Sequence, residues 1–134
     1  MPAKDRYHDT VTQSLIKDGW AITHNQFTIV LPERFLWIDL RAVKATEQTA
    51  ILIEVKGLES ASAVEALAMA VGKYMLYRSA LELSAIDEPL YLAVPVRAFR
   101  GILSETVGRY LIQELNIHLV VFDPEQTEIV QWIP

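Results

Sequence analysis

The chain has 134 residues, a formal net charge of −5 and no cysteine. This length indicates a single domain over residues 1–134. The lack of cysteine excludes disulfides and thiolate metal sites. The negative charge argues against a protein that binds duplex nucleic acid mainly by covering its phosphates, but it permits a local basic groove. Residues 1–5 lack the apolar core of a signal peptide, so a cytoplasmic location is expected.

The periodicity of apolar residues changes along the chain and predicts a mixture of helices and strands. Helical spacing marks the first segment and a long central segment, while short β-branched runs bounded by polar residues or proline mark the strands. The predicted elements are, in order, a helix at 5–18, strands at 20–24, 27–31, 35–43 and 51–57, a helix at 62–83, a strand at 90–94, a helix at 96–116 broken near 101–104, and strands at 118–122 and 128–133.

The connections between these elements predict how the strands pair. Short polar turns predict one hairpin between the first two strands and another that leads into the strand at 51–57. A helix follows that strand, so the strand at 90–94 is expected to run parallel to a neighbour. A type I turn at 123–126, with proline at its second position, joins the last two strands. The predicted fold class is an α/β sandwich with a mixed central sheet flanked by helices.

The helix at 62–83 is predicted to be apolar on nearly every side. Ser62 and Glu65 at its start fit a capping box. A helix of this kind is buried or covered by another chain, so we expect a homodimer or a stable complex with another protein. Charged residues interrupt its apolar run short of the about 20 residues that a membrane span needs, and no membrane association is expected. Lys73 is expected to extend toward the strand on which the helix packs.

The strand at 51–57 is an apolar run that carries two charged residues, Glu54 and Lys56. Residues two apart in a strand point to the same face, so the two side chains project side by side. Burying either charge alone is unfavourable. The pair therefore indicates a functional site at the strand end, or else a partly exposed strand end with a salt bridge.

Asp39 supplies a second acid on the preceding strand, where Trp37, Asp39 and Arg41 share one face and Ile38 and Leu40 the other. The alternative for Asp39 is a solvated strand face. If the two strands pair, Asp39 and Glu54 converge and repel, and a hard cation such as Mg²⁺, or Mn²⁺, relieves the repulsion. A water on that cation is a nucleophile for a phosphodiester, and Lys56 would hold the water or stabilise charge on the phosphate.

The strand arrangement and the sequence Asp39…Glu54-Val55-Lys56 resemble the PD-(D/E)xK restriction-endonuclease-like superfamily. The resemblance implies that Asp39 and Glu54 bind Mg²⁺ and that Lys56 assists the attacking water. Ile38 stands in place of the proline that names the motif, a proline often absent among such nucleases.

A second resemblance covers nearly the whole chain. It rests on five segments, at residues 2–5, 7–9, 15–20, 91–95 and 121–124. These segments are similar to the XisH family of excision-controlling factors, which are associated with removal of the fdxN element by a site-specific recombinase in cyanobacteria. This resemblance implies a role in DNA rearrangement, with DNA and a protein of the excision system as expected partners. Lys73 stands where the resemblance predicts glutamine, at a position that often approaches the nuclease site.

Two residues of the first helix are candidate accessory groups. Asp9 is a candidate for a further contact to the metal, with helix capping as its alternative. His8 lies beside it, with a surface position as its alternative. Three interpretations of the chain stay open: a Mg²⁺-dependent nuclease-like domain that acts on DNA, a non-catalytic accessory factor that binds a partner protein or the recombinase complex, and a structural dimer subunit with an incidental Glu54–Lys56 ion pair.

Overall fold

A computed structural model describes residues 6–134 and confirms the mixed α/β architecture. The start of the first predicted helix at Asp5, and the segment 2–5 used in the XisH resemblance, lie outside the described residues. The elements are α1 (His8–Lys17), β1 (Ala21–His24), β2 (Phe27–Val30), β3 (Phe35–Ile38), β4 (Leu40–Lys44), β5 (Thr49–Val55), α2 (Ala63–Leu83), β6 (Leu90–Pro95), α3 (Val96–Arg100), α4 (Thr106–Glu114), β7 (His118–Asp123) and β8 (Glu128–Ile133), with turns of 3₁₀ helix at Ala45–Glu47 and Ile102–Ser104.

Six strands form one mixed sheet in the order β1-β4-β5-β6-β7-β8. The parallel core consists of β5, β6 and β7, and the predicted crossover through α2 joins the first two of these strands. The hairpins β4–β5 and β7–β8 are antiparallel, as predicted. The helix predicted at 96–116 is broken where expected, between α3 and α4.

Two layers of side chains cover the faces of this sheet. On one face, α1 packs its buried Val11 and Leu15 against β4, β5 and the middle of the sheet. On the other face, α2 packs Leu67, Ala70 and Tyr74 against alternate residues of the same strands. The Ser62 hydroxyl accepts a hydrogen bond from the Glu65 backbone N–H at 3.2 Å, which is the predicted cap at the start of α2. The sheet is therefore the middle layer of a sandwich.

The predicted hairpin between the first two strands is wrong. β1 pairs with β4 at the edge of the main sheet, whereas β2 pairs with β3 in a separate two-stranded ribbon. The turn that closes the ribbon is marked by a backbone hydrogen bond from Leu31 N–H to the Arg34 carbonyl at 2.9 Å. The ribbon packs its buried Ile29 and Ile38 on the α2 side of the sheet.

The single strand predicted at 35–43 is also wrong, because the chain bends at Asp39 between β3 and β4. Ile38 is buried with α2, whereas Leu40 is buried with α1, so these two residues do not share a face as predicted. The polar groups of Asp39 account for the bend, since its carboxylate bonds to the neighbouring strand in place of a continuous ladder.

Among residues 6–134, no helix combines the length and the apolar character that crossing a membrane requires.

Candidate functional site

The β4–β5 hairpin brings the two predicted carboxylates together. Its register pairs Leu40 with Ile53, so the bend residue Asp39 lies opposite Glu54 at the open end of the hairpin. The Glu54 side chain faces α2, because its strand neighbours Ile53 and Val55 are buried on the α1 side. Asp39 and Glu54 therefore meet on one face of the sheet, beneath α2.

Asp39 is hydrogen-bonded to the backbone of Val55 and to the side chain of Glu54. Its Oδ2 accepts a hydrogen bond from the Val55 backbone N–H at 2.8 Å. Its own backbone N–H donates to Glu54 Oε1 at 3.4 Å, a long hydrogen bond. These two contacts hold Asp39 beside the carboxylate of Glu54.

Glu54 is fully buried and forms an ion pair with a residue of α2. Lys73 Nζ lies 3.0 Å from Glu54 Oε2, and the Lys73 side chain keeps about one-third of its surface exposed. The ammonium is also 5.4 Å from the centre of the Tyr77 ring, one helical turn further along α2. Lys73 thus extends from α2 to β5 and reaches Glu54, as its position in the sequence predicts.

Lys56 follows the last residue of β5 and is half-buried. Its backbone N–H donates to the Ala93 carbonyl at 3.0 Å, which extends the pairing of β5 with β6 by one residue. Lys56 is close enough to Glu54 for its charge to lower the pKa of that carboxyl. We refer to Asp39, Glu54, Lys56 and Lys73 together as the carboxylate–lysine cluster.

The electrostatics of this cluster favour a protonated Glu54 at mildly acidic pH. Burial and, to a smaller extent, the negative charge of Asp39 raise the pKa of Glu54, Lys73 and Lys56 oppose the increase, and the pKa reaches about 7. Burial lowers the pKa of Lys73, but the Glu54 carboxylate outweighs that effect and the net shift is upward. Above neutral pH the cluster therefore holds two carboxylates and two ammonium groups, whose formal charges cancel.

The accessory residues of α1 belong to the other layer of the sandwich. His8 is buried rather than on the surface, whereas Asp9 is exposed. Their neighbour Tyr7 packs its ring edge-on against Phe122 at 5.5 Å between ring centres. A Cβ atom on Gly57 would lie 3.1 Å from the Tyr7 ring, so the start of α1 reaches the segment that follows Lys56. The structure thus places His8 and Asp9 near the same end of the sheet, on the face opposite Glu54.

A groove of about 360 Å³ opens beside Lys56, between α2 and the segment that connects β5 to α2. Arg6 lies on its rim and forms an ion pair with Glu59 at 2.8 Å, where both side chains are substantially exposed. The floor includes Ala70 and Met69 of α2. Of the carboxylate–lysine cluster, Lys56 lines this groove.

The donor set fits a magnesium ion held by two carboxylates. Mg²⁺ is commonly bound by one or two carboxylates and several waters, and Asp39 and Glu54 would be those ligands. Within residues 6–134, no group of three or more histidine, aspartate or glutamate side chains could hold a metal ion, so the candidate is limited to this pair. The ammonium of Lys73 forms an ion pair with Glu54 Oε2 and would compete with a cation for that oxygen.

Tyr77 is the residue of this region that sequence reasoning missed, because its pattern indicates only a core position. Burial raises the pKa of Tyr77, and the nearby charges of Glu54 and Asp39 contribute in the same direction. Its spacing of four residues from Lys73 places both side chains on one face of α2. That spacing is the signal that could have identified it.

The mixed sheet and the crossover helix define an α/β sandwich protein with two paired acids beneath that helix. The chain belongs to the XisH family, whose model (XisH protein) matches residues 1–130. It is similar to the crystal structure of an XisH family protein from Nostoc punctiforme PCC 73102, with 33% identity, a TM-score of 0.88, and coverage of 97% of this chain and 100% of that one. It is also similar to a fdxN element excision controlling factor protein from Anabaena variabilis, with 32% identity, a TM-score of 0.89, and coverage of 98% and 100%. No curated protein matches the chain.

Proposed function

We propose that this XisH family member is a DNA-element excision controlling factor with a Mg²⁺-dependent phosphodiesterase site formed by the carboxylate–lysine cluster. The observation that carries the proposal is the convergence of Asp39 and Glu54 beneath α2, with Lys56 on the same face at the mouth of a groove. A buried carboxylate with a pKa raised to about 7 is unfavourable for the apo protein, and such groups concentrate at functional sites.

Each residue of the cluster has a distinct role in this proposal. Asp39 and Glu54 would hold Mg²⁺, or Mn²⁺, through carboxylate oxygens. The bound ion supplies a Lewis acid and an activated water. Lys56 would hold that water or stabilise the charge that develops on the phosphate, because it lines the groove. Lys73 neutralises Glu54 in the absence of the ion.

A second candidate function is a non-catalytic accessory factor that binds a protein of the excision system. The specific observation in its favour is the Lys73–Glu54 contact of 3.0 Å, which balances the buried charge without a cation. Glutamine, the residue that the family resemblance predicts here, would leave Glu54 without this counter-ion. The net charge of −5 also suits protein contacts better than phosphate contacts.

Titration with divalent cations separates the two functions. Mg²⁺ or Mn²⁺ should stabilise the wild-type protein by mass action, by about 2.7 kcal/mol at one hundred times the dissociation constant. Lys73→Gln should bind the ion at least several-fold more tightly, since it removes the competing ammonium from Glu54. Calorimetry and thermal melting measure both effects, and cleavage is assayed on single-stranded, duplex and branched DNA.

Glu59→Gln is the matched control, because Glu59 is an exposed carboxylate beside the same groove. It should leave the binding heat and the melting shift as in wild type. If neither wild type nor Lys73→Gln shows binding heat, a melting shift or cleavage, the phosphodiesterase proposal fails and the accessory function remains.

A further inference from the structure

One side of α2 presents large apolar side chains to solvent along the length of the helix. Met69, Leu76 and Leu83 are 73%, 56% and 81% exposed. The opposite side of the same helix is buried in the core, so α2 is apolar on both sides, as its sequence predicts. Contiguous exposed apolar surface of this kind marks an interaction site.

Gly72 lies in the middle of this exposed side and has no structural explanation within the described chain. A Cβ atom built on Gly72 meets nothing within 4 Å. Glycine in a helix interior is nevertheless less stable than alanine by about 1 kcal/mol. A bare backbone at this position is useful where another chain approaches the helix closely.

The exposed residues follow the alternating spacing of three and four that characterises a helix-pairing seam. Met69, Gly72, Leu76, Ser79 and Leu83 occupy successive positions of this seam, and large residues alternate with small ones. The seam is therefore a series of protrusions separated by gaps. Such a surface packs best against a second surface in which the order of large and small is offset.

We propose that α2 forms an antiparallel, two-fold symmetric pair with α2 of a second copy of this chain. When the two-fold axis lies at the level of residue 74, midway between Gly72 and Leu76, Leu76 of each copy lies opposite Gly72 of the other, and Met69 lies opposite Ser79. The two large residues in the middle of the seam then meet small ones in both copies at once, while Leu83 lies opposite Glu65 at each end. This self-complementarity is what a symmetric dimer interface requires, and it selects a second copy as the occupant.

The size of the seam sets the expected strength of the dimer. With 21 residues, α2 is about 30 Å long, and its exposed side is about 10 Å wide. Pairing two such sides buries on the order of 600 Å² in total, below the about 1,000 Å² that stable specific interfaces bury. The dimer is therefore expected to be reversible, with dissociation on dilution.

The pairing has a consequence for the carboxylate–lysine cluster, although the inference does not depend on the proposed activity. Lys73 precedes the axis residue Tyr74 and reaches inward to Glu54. The dimer would place both clusters beside one two-fold axis. The experiments below measure association only, so their failure would leave the metal site untouched.

Analytical ultracentrifugation across a wide range of concentrations tests whether the dimer forms. Wild type should shift from monomer to dimer, and Leu76→Lys should remain monomeric at every concentration. Val107→Lys is the matched control, since Val107 is an exposed apolar residue of α4 and should leave the dimer intact. A wild-type protein that stays monomeric throughout would overturn the proposal.

Gly72→Ala should have opposite effects on the affinity of the dimer and on the stability of the monomer. A methyl group opposite Leu76 of the other copy should weaken the dimer at least several-fold, while it raises the melting temperature of the dilute monomer by a few degrees through helix propensity. An alanine variant that dimerises as well as wild type would show that no chain approaches closely at this position, which would also overturn the proposed register.

Cysteine cross-linking tests the register directly, because the chain contains no cysteine of its own. Met69→Cys and Ser79→Cys proteins should each resist oxidative cross-linking alone and should cross-link when mixed. A parallel pair would instead cross-link Met69→Cys to itself. Self-linking of either variant, or no product from the mixture, contradicts the antiparallel arrangement.

Discussion

Lys56→Ala should leave Mg²⁺ binding largely intact and reduce phosphodiester hydrolysis by about 10²–10³-fold or more. The expectation follows from the position of Lys56 relative to the proposed metal ligands. Lys56 lies beyond the end of β5 at the groove, whereas the two proposed ligands lie beneath α2. Its ammonium would act on the water or the phosphate in the reaction step. Calorimetric titration with Mg²⁺ and single-turnover cleavage by the same protein preparation measure the two quantities separately.

Lys56→Arg is the informative companion variant, because it keeps the positive charge but changes its geometry. It should retain metal binding and recover only part of the lost rate. An equal loss of metal affinity and cleavage in Lys56→Ala would contradict a role in the reaction step, and would indicate that Lys56 acts on the cluster as a whole.

Glu54→Gln should make the protein more stable than wild type at neutral and alkaline pH, by up to about 3 kcal/mol. The ordinary pKa of a glutamate is 4.5, and burial beside Asp39 raises that of Glu54 to about 7. Between these two values the unfolded chain loses the Glu54 proton while the folded chain keeps it. The free energy of unfolding of wild type therefore falls as the pH rises through this window, and that of Glu54→Gln lacks this contribution.

Denaturant unfolding of both proteins at about pH 4.5 and above pH 7 measures this difference. The titratable groups near Glu54 are Asp39 at the bend, Lys56 after β5, and Lys73 and Tyr77 on α2. All of them are unchanged in the variant. Glu82→Gln, an exposed substitution on α2, is the matched control. A difference between wild type and Glu54→Gln that does not vary with pH would mean that Lys73 keeps Glu54 ionised throughout.

Much of the fold could be predicted because its signals are local. The cap at Ser62, the break between α3 and α4, and the crossover from β5 to β6 each follow from a few neighbouring residues. The parallel pairing follows in turn from the length of the crossover.

The pairing of β2 could not be chosen from periodicity, because β1 and β3 are both short apolar strands adjacent in sequence. The deciding feature is the turn at residues 31–34, where Pro32 occupies the second position and Leu31 bonds to Arg34. That proline predicts a turn as well as a strand end. After the resulting β2–β3 ribbon, the chain bends at Asp39 and joins the main sheet as β4.

One contact of the candidate site could be predicted from the sequence and another could not. The pairing of Asp39 with Glu54 was predictable, since it requires only a hairpin and its register. The contact between Lys73 and Glu54 depends on how α2 rotates over the sheet, and that rotation is fixed by the packing of Leu67, Ala70 and Tyr74. The sequence places Lys73 near the sheet but does not specify which acid it reaches.

The two acids of the cluster differ in what natural selection would preserve. Asp39 accepts the Val55 N–H at 2.8 Å, so its carboxylate substitutes for a missing main-chain acceptor at the end of β5. Selection for folding alone would keep an oxygen acceptor at this position in a lineage that had lost every activity. Glu54 is the opposite case, because its burial destabilises the folded state above neutral pH. Drift in an inactive lineage would replace it with a neutral residue, and an acid retained at position 54 across XisH proteins would therefore be evidence of function in a way that one at position 39 would not.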